Sequence, residues 1–142
     1  MLYKWVGELA GGGKKPLEIA ADLGIRVLFV PFKEIKGIVF SLCSEKFILI
    51  DDGLTEIEQQ IVCGHEIGHF LLHPSTNFLF ILEKPGLYNK QEYQANHFAC
   101  ALMLGEEAEK YSSEIKEAAA HGRLDRLVEV VTRLVGRAEY KR

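Results

Sequence analysis

No stretch of this 142-residue sequence offers the run of about 20 apolar residues that a membrane-spanning helix needs. No membrane role is therefore expected. An excess of one charge is also missing. Lys and Arg number 17 against 20 Asp and Glu, for a formal net charge of -3, which argues against bulk attraction to nucleic acid or to an anionic membrane. Cysteine is scarce: Cys43, Cys63 and Cys100 are odd in number and show no CxxC spacing. That argues against a disulfide framework and fits a reducing, cytoplasmic setting. The opening MLYKWVGELAGGGKK lacks a charged start followed by an apolar stretch, so no export signal is expected. Its GGGKK also lacks the glycine spacing and the Lys-Ser/Thr pair of a phosphate-binding loop, and reads as a flexible turn. Repeats and low-complexity segments are absent.

What remains is an ordinary globular composition, 48% hydrophobic, of a length that suits one domain over residues 1–142. Leu2, Trp5, Val6 and Leu9 fall at helical spacing. Pro16 stands where a helix can start and Gly24 where one can end. Three β-rich runs follow: IRVLFV (25–30), GIVFSL (37–42) and KFILI (46–50). The short links PFKEIK and CSE predict antiparallel neighbours along this order. Residues 55–73 read as a helix with Thr55 as N-cap and Glu58 completing a capping box, ended by Pro74. The segment 74–89 reads as a loop around a possible strand, NFLFILE. Residues 90–104 read as a second long helix ended by Gly105, and the rest as helical with a break near Gly122.

The first of those long helices carries IVCGHEIGHFLLH, residues 61–73. Residues four apart on a helix lie about 40° apart on one face. His65 and His69 therefore point the same way, and two imidazole nitrogens can meet one zinc ion. Glu66 flanks the same site without needing to ligate, placed to accept a proton from water. Gly64 and Gly68 lie one turn apart and predict a close approach by a strand or by the second helix.

A catalytic zinc takes three protein ligands and keeps one position open. A histidine six residues after His69 would mark a metzincin-type site, but Ser75 stands there. His73 continues the stripe at the helix end; a structural or pocket-lining role is expected, with ligation as the alternative. KQEYQANHFACALML is the better source. Glu92 and Asn96 share a face, Glu92 as third ligand and Asn96 as acceptor for the other nitrogen of a ligating histidine. Ala95, Phe98, Ala99 and Leu102 supply an apolar face for packing. His97 is read as a non-ligand, and Cys63 and Cys100 as buried free thiols.

HEIGHFLLH followed downstream by EYQANHFACALM resembles the ImmA/IrrE metallopeptidases, small gluzincin-like proteins, over roughly residues 16–104. The resemblance implies His65, His69 and Glu92 as zinc ligands, Glu66 as catalytic base and Asn96 as the residue orienting a ligand. Members of the family are linked to mobile elements, phage-type regulation and stress responses. Some cleave or inactivate a helix-turn-helix repressor, and some carry a DNA-binding domain of their own. This chain is expected to lack one, so the resemblance implies a repressor partner supplied separately. The second helix ends in ALMLGEEAEK rather than in the proline-containing ending common in the family, and no functional residue is carried over to the C-terminal region.

The expectation is an α+β, minigluzincin-like fold: a small antiparallel or mixed sheet on the HExxH helix, a second ligand-bearing helix and a helical C-terminus. The expected activity is zinc-dependent hydrolysis of a peptide bond in a specific protein substrate. The alternative is a non-catalytic zinc-containing regulator that binds its repressor partner; an intact Glu66 opposes it. Tyr88, Tyr93 and His73 are candidates for stabilising an oxyanion. KFILI is a candidate edge for adding an extended substrate strand. In the tail, Arg123, Arg126, Arg133, Arg137, Lys141 and Arg142 are interleaved with Asp125, Glu129 and Glu139. That pattern reads as a solvated helix face, and no direct nucleic-acid contact is expected.

Overall fold

The computed structural model describes residues 2–74 and 85–140. Helices α1 (Leu2–Leu9) and α2 (Pro16–Asp22) precede strands β1 (Ile25–Val30), β2 (Gly37–Leu42) and β3 (Glu45–Asp51). Helices α3 (Glu56–Leu72) and α4 (Pro85–Leu104) follow, then a 3-10 segment over Gly105–Tyr111, and helices α5 (Ser112–His121) and α6 (Leu124–Tyr140). The architecture is α+β with a helical C-terminal part. The run NFLFILE lies outside the described residues.

Local chemistry sets the element ends. Pro16 occupies the first turn of α2, where a missing N–H costs nothing. Gly122 adopts a left-handed φ of 70° and ends α5. At the start of α3, Thr55 Oγ1 accepts from the Glu58 N–H at 3.4 Å, while Glu58 Oε1 accepts from the Thr55 N–H at 2.8 Å. This reciprocal cap stabilises the helix by about 1 kcal/mol and fixes where the metal-type motif begins its turns.

The sheet corrects the expected strand pairing. Its order is β1-β3-β2, with β1 parallel to β3 and β2 antiparallel to it. The first two strands are thus not neighbours. Ile48 and Ile50 of β3 are fully buried, whereas β1 and β2 each bury one residue at their first position. The most apolar strand therefore takes the centre, and residues 31–36 carry the chain across its C-terminal end. That crossing is hydrogen-bonded to β3: the Asp51 N–H donates to the Lys36 carbonyl and the Asp52 N–H to the Val30 carbonyl, both at 2.9 Å. The central position also rules out KFILI as a substrate edge, because β3 is paired on both sides. Among the described residues, the outer strands of the sheet are β1 and β2.

Helices α3 and α4 run antiparallel and very close. A β-carbon on Gly64 would stand 3.2 Å from Ala99 Cα, and one on Gly68 would stand 3.2 Å from Ala95 Cα. The two glycines thus mark the second helix as the partner. Phe98 and Leu102 of α4, Ile67 of α3 and Leu134 of α6 fill the core beside them. Among the described residues, no helix is long and apolar enough to cross a membrane.

Candidate active site

The close helix contact sets the site. Counting down α4 as α3 counts up, His65 meets Asn96 and His69 meets Glu92. His65 Nε2 lies 3.0 Å from Glu92 Oε2, His69 Nε2 lies 2.7 Å from Glu92 Oε1, and the two Nε2 atoms are 3.1 Å apart. These three side chains can hold one ion, with all their ligand atoms within 4.8 Å of one another. A tetrahedral zinc with bonds of about 2.0–2.1 Å has ligand–ligand edges of about 3.3–3.4 Å, longer than these hydrogen-bond separations, so the three side chains would spread slightly to admit it.

The far side of each imidazole decides which nitrogen faces the site. Asn96 Oδ1 accepts from His65 Nδ1–H at 2.7 Å, and Asn96 Nδ2 donates to the Ala119 carbonyl at 3.3 Å. That second bond orients the amide and so keeps its oxygen on His65. The His65 Nδ1 proton leaves Nε2 bare, aimed at His69 Nε2 and at a carboxylate. Acceptor atoms this close repel unless a cation stands among them. Without a metal, a proton serves. Burial opposes charge on His65, but the Glu92 hydrogen bond, the Glu66 and Glu92 charges and the Asn96 bond outweigh it, pushing its pKa up to about 9. Burial works against the Glu92 carboxylate too, yet hydrogen bonds from His65 and His69 hold it well below the usual carboxylate range. Burial lowers the pKa of His69. The donor set fits a divalent cation of the zinc type.

Glu66 lies beside this group, 3% exposed, and among the described residues its Oε2 has no hydrogen-bond partner. Burial, with a smaller push from Glu92, raises its pKa to about 7 despite the opposing effect of His65. Glu66, His65 and Glu92 open onto a cleft of about 440 Å³. Its other walls include Ile35, Ile61, Leu124 and Leu127. Gly37, the first residue of β2, forms part of the rim; a β-carbon there would stand 2.6 Å from Val62 Cγ1 and 3.4 Å from Glu66 Cγ.

Other residues singled out from the sequence fall elsewhere. His73 sits behind His69, with its Nδ1 3.2 Å from His69 Nδ1, on the side away from Glu92. His97 bonds Tyr3 Oη at 2.9 Å and ties α1 to α4. Tyr93 packs its ring against His97, with centroids 6.2 Å apart, and does not line the cleft. The side chain of Tyr88 lies outside the described residues. Cys63 and Cys100 are buried free thiols, and neither joins the metal-type group. Arg123 pairs with Asp125, and Arg126 with Glu117 and Glu129. Sequence reasoning missed Gly37, Leu124 and Leu127, which come from distant segments. It also missed the Ala119 carbonyl, a backbone group that no side-chain motif announces.

Fold and site together define an α+β protein whose two central helices carry a candidate two-histidine, one-carboxylate metal centre. The chain belongs to the ImmA/IrrE family of metallopeptidases: the profile of the IrrE N-terminal-like domain matches residues 20–130. That match runs past the 16–104 span of the resemblance to take in α5 and the start of α6. A relative, "Uncharacterized immunity region protein 2" of Bacillus phage phi105, is 37% identical over 93 residues. The matched part is 63% of this chain and 58% of the relative, so less than two thirds of that protein's length is represented. No solved structure matches the chain.

Proposed function

We propose that this protein is a zinc-dependent endopeptidase that cuts a specific protein substrate, with His65, His69 and Glu92 as metal ligands and Glu66 as catalytic base. The observation that carries the reading is the unpartnered, buried Oε2 of Glu66 beside the convergent His65, His69 and Glu92 atoms. Zinc bound there supplies Lewis-acid polarisation of the scissile carbonyl and activation of water. Glu66 accepts the proton of the attacking water and returns one to the leaving amine. The apolar walls of the cleft leave room for a large apolar side chain.

A helix-turn-helix repressor is the proposed substrate. The family's association with such repressors supports it, as does the description of the phage relative as an immunity region protein. The test incubates the zinc-loaded chain with a repressor encoded beside it and resolves the products by mass spectrometry. Two complementary fragments are expected with wild type. None is expected with Glu66→Gln, which should still hold its metal. Tight binding of an uncut repressor by fully loaded wild type would instead favour the non-catalytic regulator.

A further inference from the structure

His73 has a hydrogen bond at each ring nitrogen. Its Nδ1 stands 3.2 Å from His69 Nδ1, and its Nε2 stands 2.7 Å from Gln94 Oε1. The two rings are tilted by 50° with centroids 5.3 Å apart. The residue is held from its backbone as well: the His73 N–H donates to the His69 carbonyl at 2.8 Å, closing α3 immediately before Pro74.

Two facing Nδ1 atoms form a bond only when one carries a proton and the other is bare. If His69 presents Nε2 to a cation, its proton resides on Nδ1 and is donated to His73. The bare Nδ1 of His73 then places that ring's proton on Nε2. There the amide oxygen of Gln94, an acceptor, receives it. Each bond forces the tautomer of the next ring, and the direction runs outward from the site.

We propose that His73, itself oriented by Gln94, is the positioning residue of His69, fixing the ring and tautomer in which Nε2 faces the metal. This rests on the reading of His69 as a ligand. The arrangement gives each histidine its own acceptor, from a different place. His65 has Asn96, secured by the Ala119 carbonyl, and His69 has His73, secured by Gln94. The His69 support is the weaker one at its outer end, because Gln94 is exposed and water competes there.

The test measures zinc affinity of the full chain by chelator competition in wild type, His73→Ala, His73→Asn, Gln94→Ala, the double variant His73→Asn with Gln94→Ala, and Glu92→Ala. Thermal melts of the metal-free proteins accompany it. Asparagine can offer an amide oxygen in place of the His73 Nδ1 and needs no Gln94 to set its tautomer. His73→Ala is expected to weaken zinc binding about 10- to 100-fold, as removal of a ligand's hydrogen-bond partner typically does. His73→Asn should recover most of that loss. Gln94→Ala should weaken binding less, and should add nothing in the His73→Asn background. Zinc-loaded wild type should show a slowly exchanging His69 imidazole N–H in proton NMR that disappears in His73→Ala, with metal-free melts little changed. Weak binding by Glu92→Ala alongside wild-type affinity in His73→Ala overturns the positioning role alone. So does equal weakening by His73→Ala and His73→Asn, which marks packing. Wild-type affinity in both Glu92→Ala and His73→Ala overturns the ligand set and the positioning role together.

Discussion

A β-carbon placed on Gly68 would stand 3.2 Å from Ala95 Cα and 3.2 Å from Phe98 Cβ, so the absence of a side chain on α3 is what lets α4 carry Glu92 up to the histidine pair. Replacing Gly68 by alanine gains about 1 kcal/mol of helix propensity. Against that, overpacking a tight contact costs about 1–3 kcal/mol. Ala95 Cα is backbone and Phe98 Cβ is bonded directly to it, so neither atom can rotate aside. Gly68→Ala is therefore expected to lower stability by about 1 kcal/mol in urea unfolding and to reduce metal retention. Gly7 is the contrasting case, with nothing within 4 Å of its missing β-carbon; Gly7→Ala should raise stability by up to about 1 kcal/mol.

The β2–β3 hairpin turns through Cys43 at φ 52° and Ser44 at φ 65°, both left-handed. A two-residue turn with positive φ at both positions favours Asn-Gly, and neither cysteine nor serine relieves the β-carbon strain there. The double change Cys43→Asn with Ser44→Gly is expected to stabilise the fold by about 1 kcal/mol. Urea unfolding measures it, and an unchanged or lower midpoint would contradict the strain.

The three thiols should divide sharply in reactivity. Cys43 is exposed, while burial pushes the Cys63 and Cys100 thiols up to about 12, with the Glu66 charge adding to the effect at Cys63. Thiolate is the reactive form. An aromatic disulfide reagent should modify one thiol per native chain and all three after denaturation. Rapid native reaction of a second thiol would mean that the core around α3 and α4 opens readily.

Most helices were legible in the sequence because their signals are local, although α4 begins at Pro85, inside the segment read as a loop, five residues before its expected start. Thr55 with Glu58, Pro16 and Gly122 each act within a turn or two, and the His65–His69 spacing is a property of one helix. Gly64 and Gly68 announced a close neighbour, and α4 was one of the two neighbours allowed. The sheet order was not legible, since link length counts residues and not destinations. Six residues can make a hairpin or cross a strand end, and the burial of Ile48 and Ile50 together with the Lys36 and Val30 carbonyl bonds decided between them. His73 was expected to play a structural or pocket-lining part. Its contact with Gln94 depends on how two helices are phased against each other, which spacing within either helix leaves undetermined.

The proposed activity requires that His65, His69 and Glu92 hold a zinc ion. The most direct test is elemental analysis of bound metal on wild type and Glu92→Ala, both purified without chelators. About one zinc ion per wild-type chain and much less in the variant is expected for a site with three protein ligands. Equal zinc in both would contradict Glu92 as a ligand, and a wild-type chain that takes up no metal even after reconstitution would remove the chemical basis of the proposed activity.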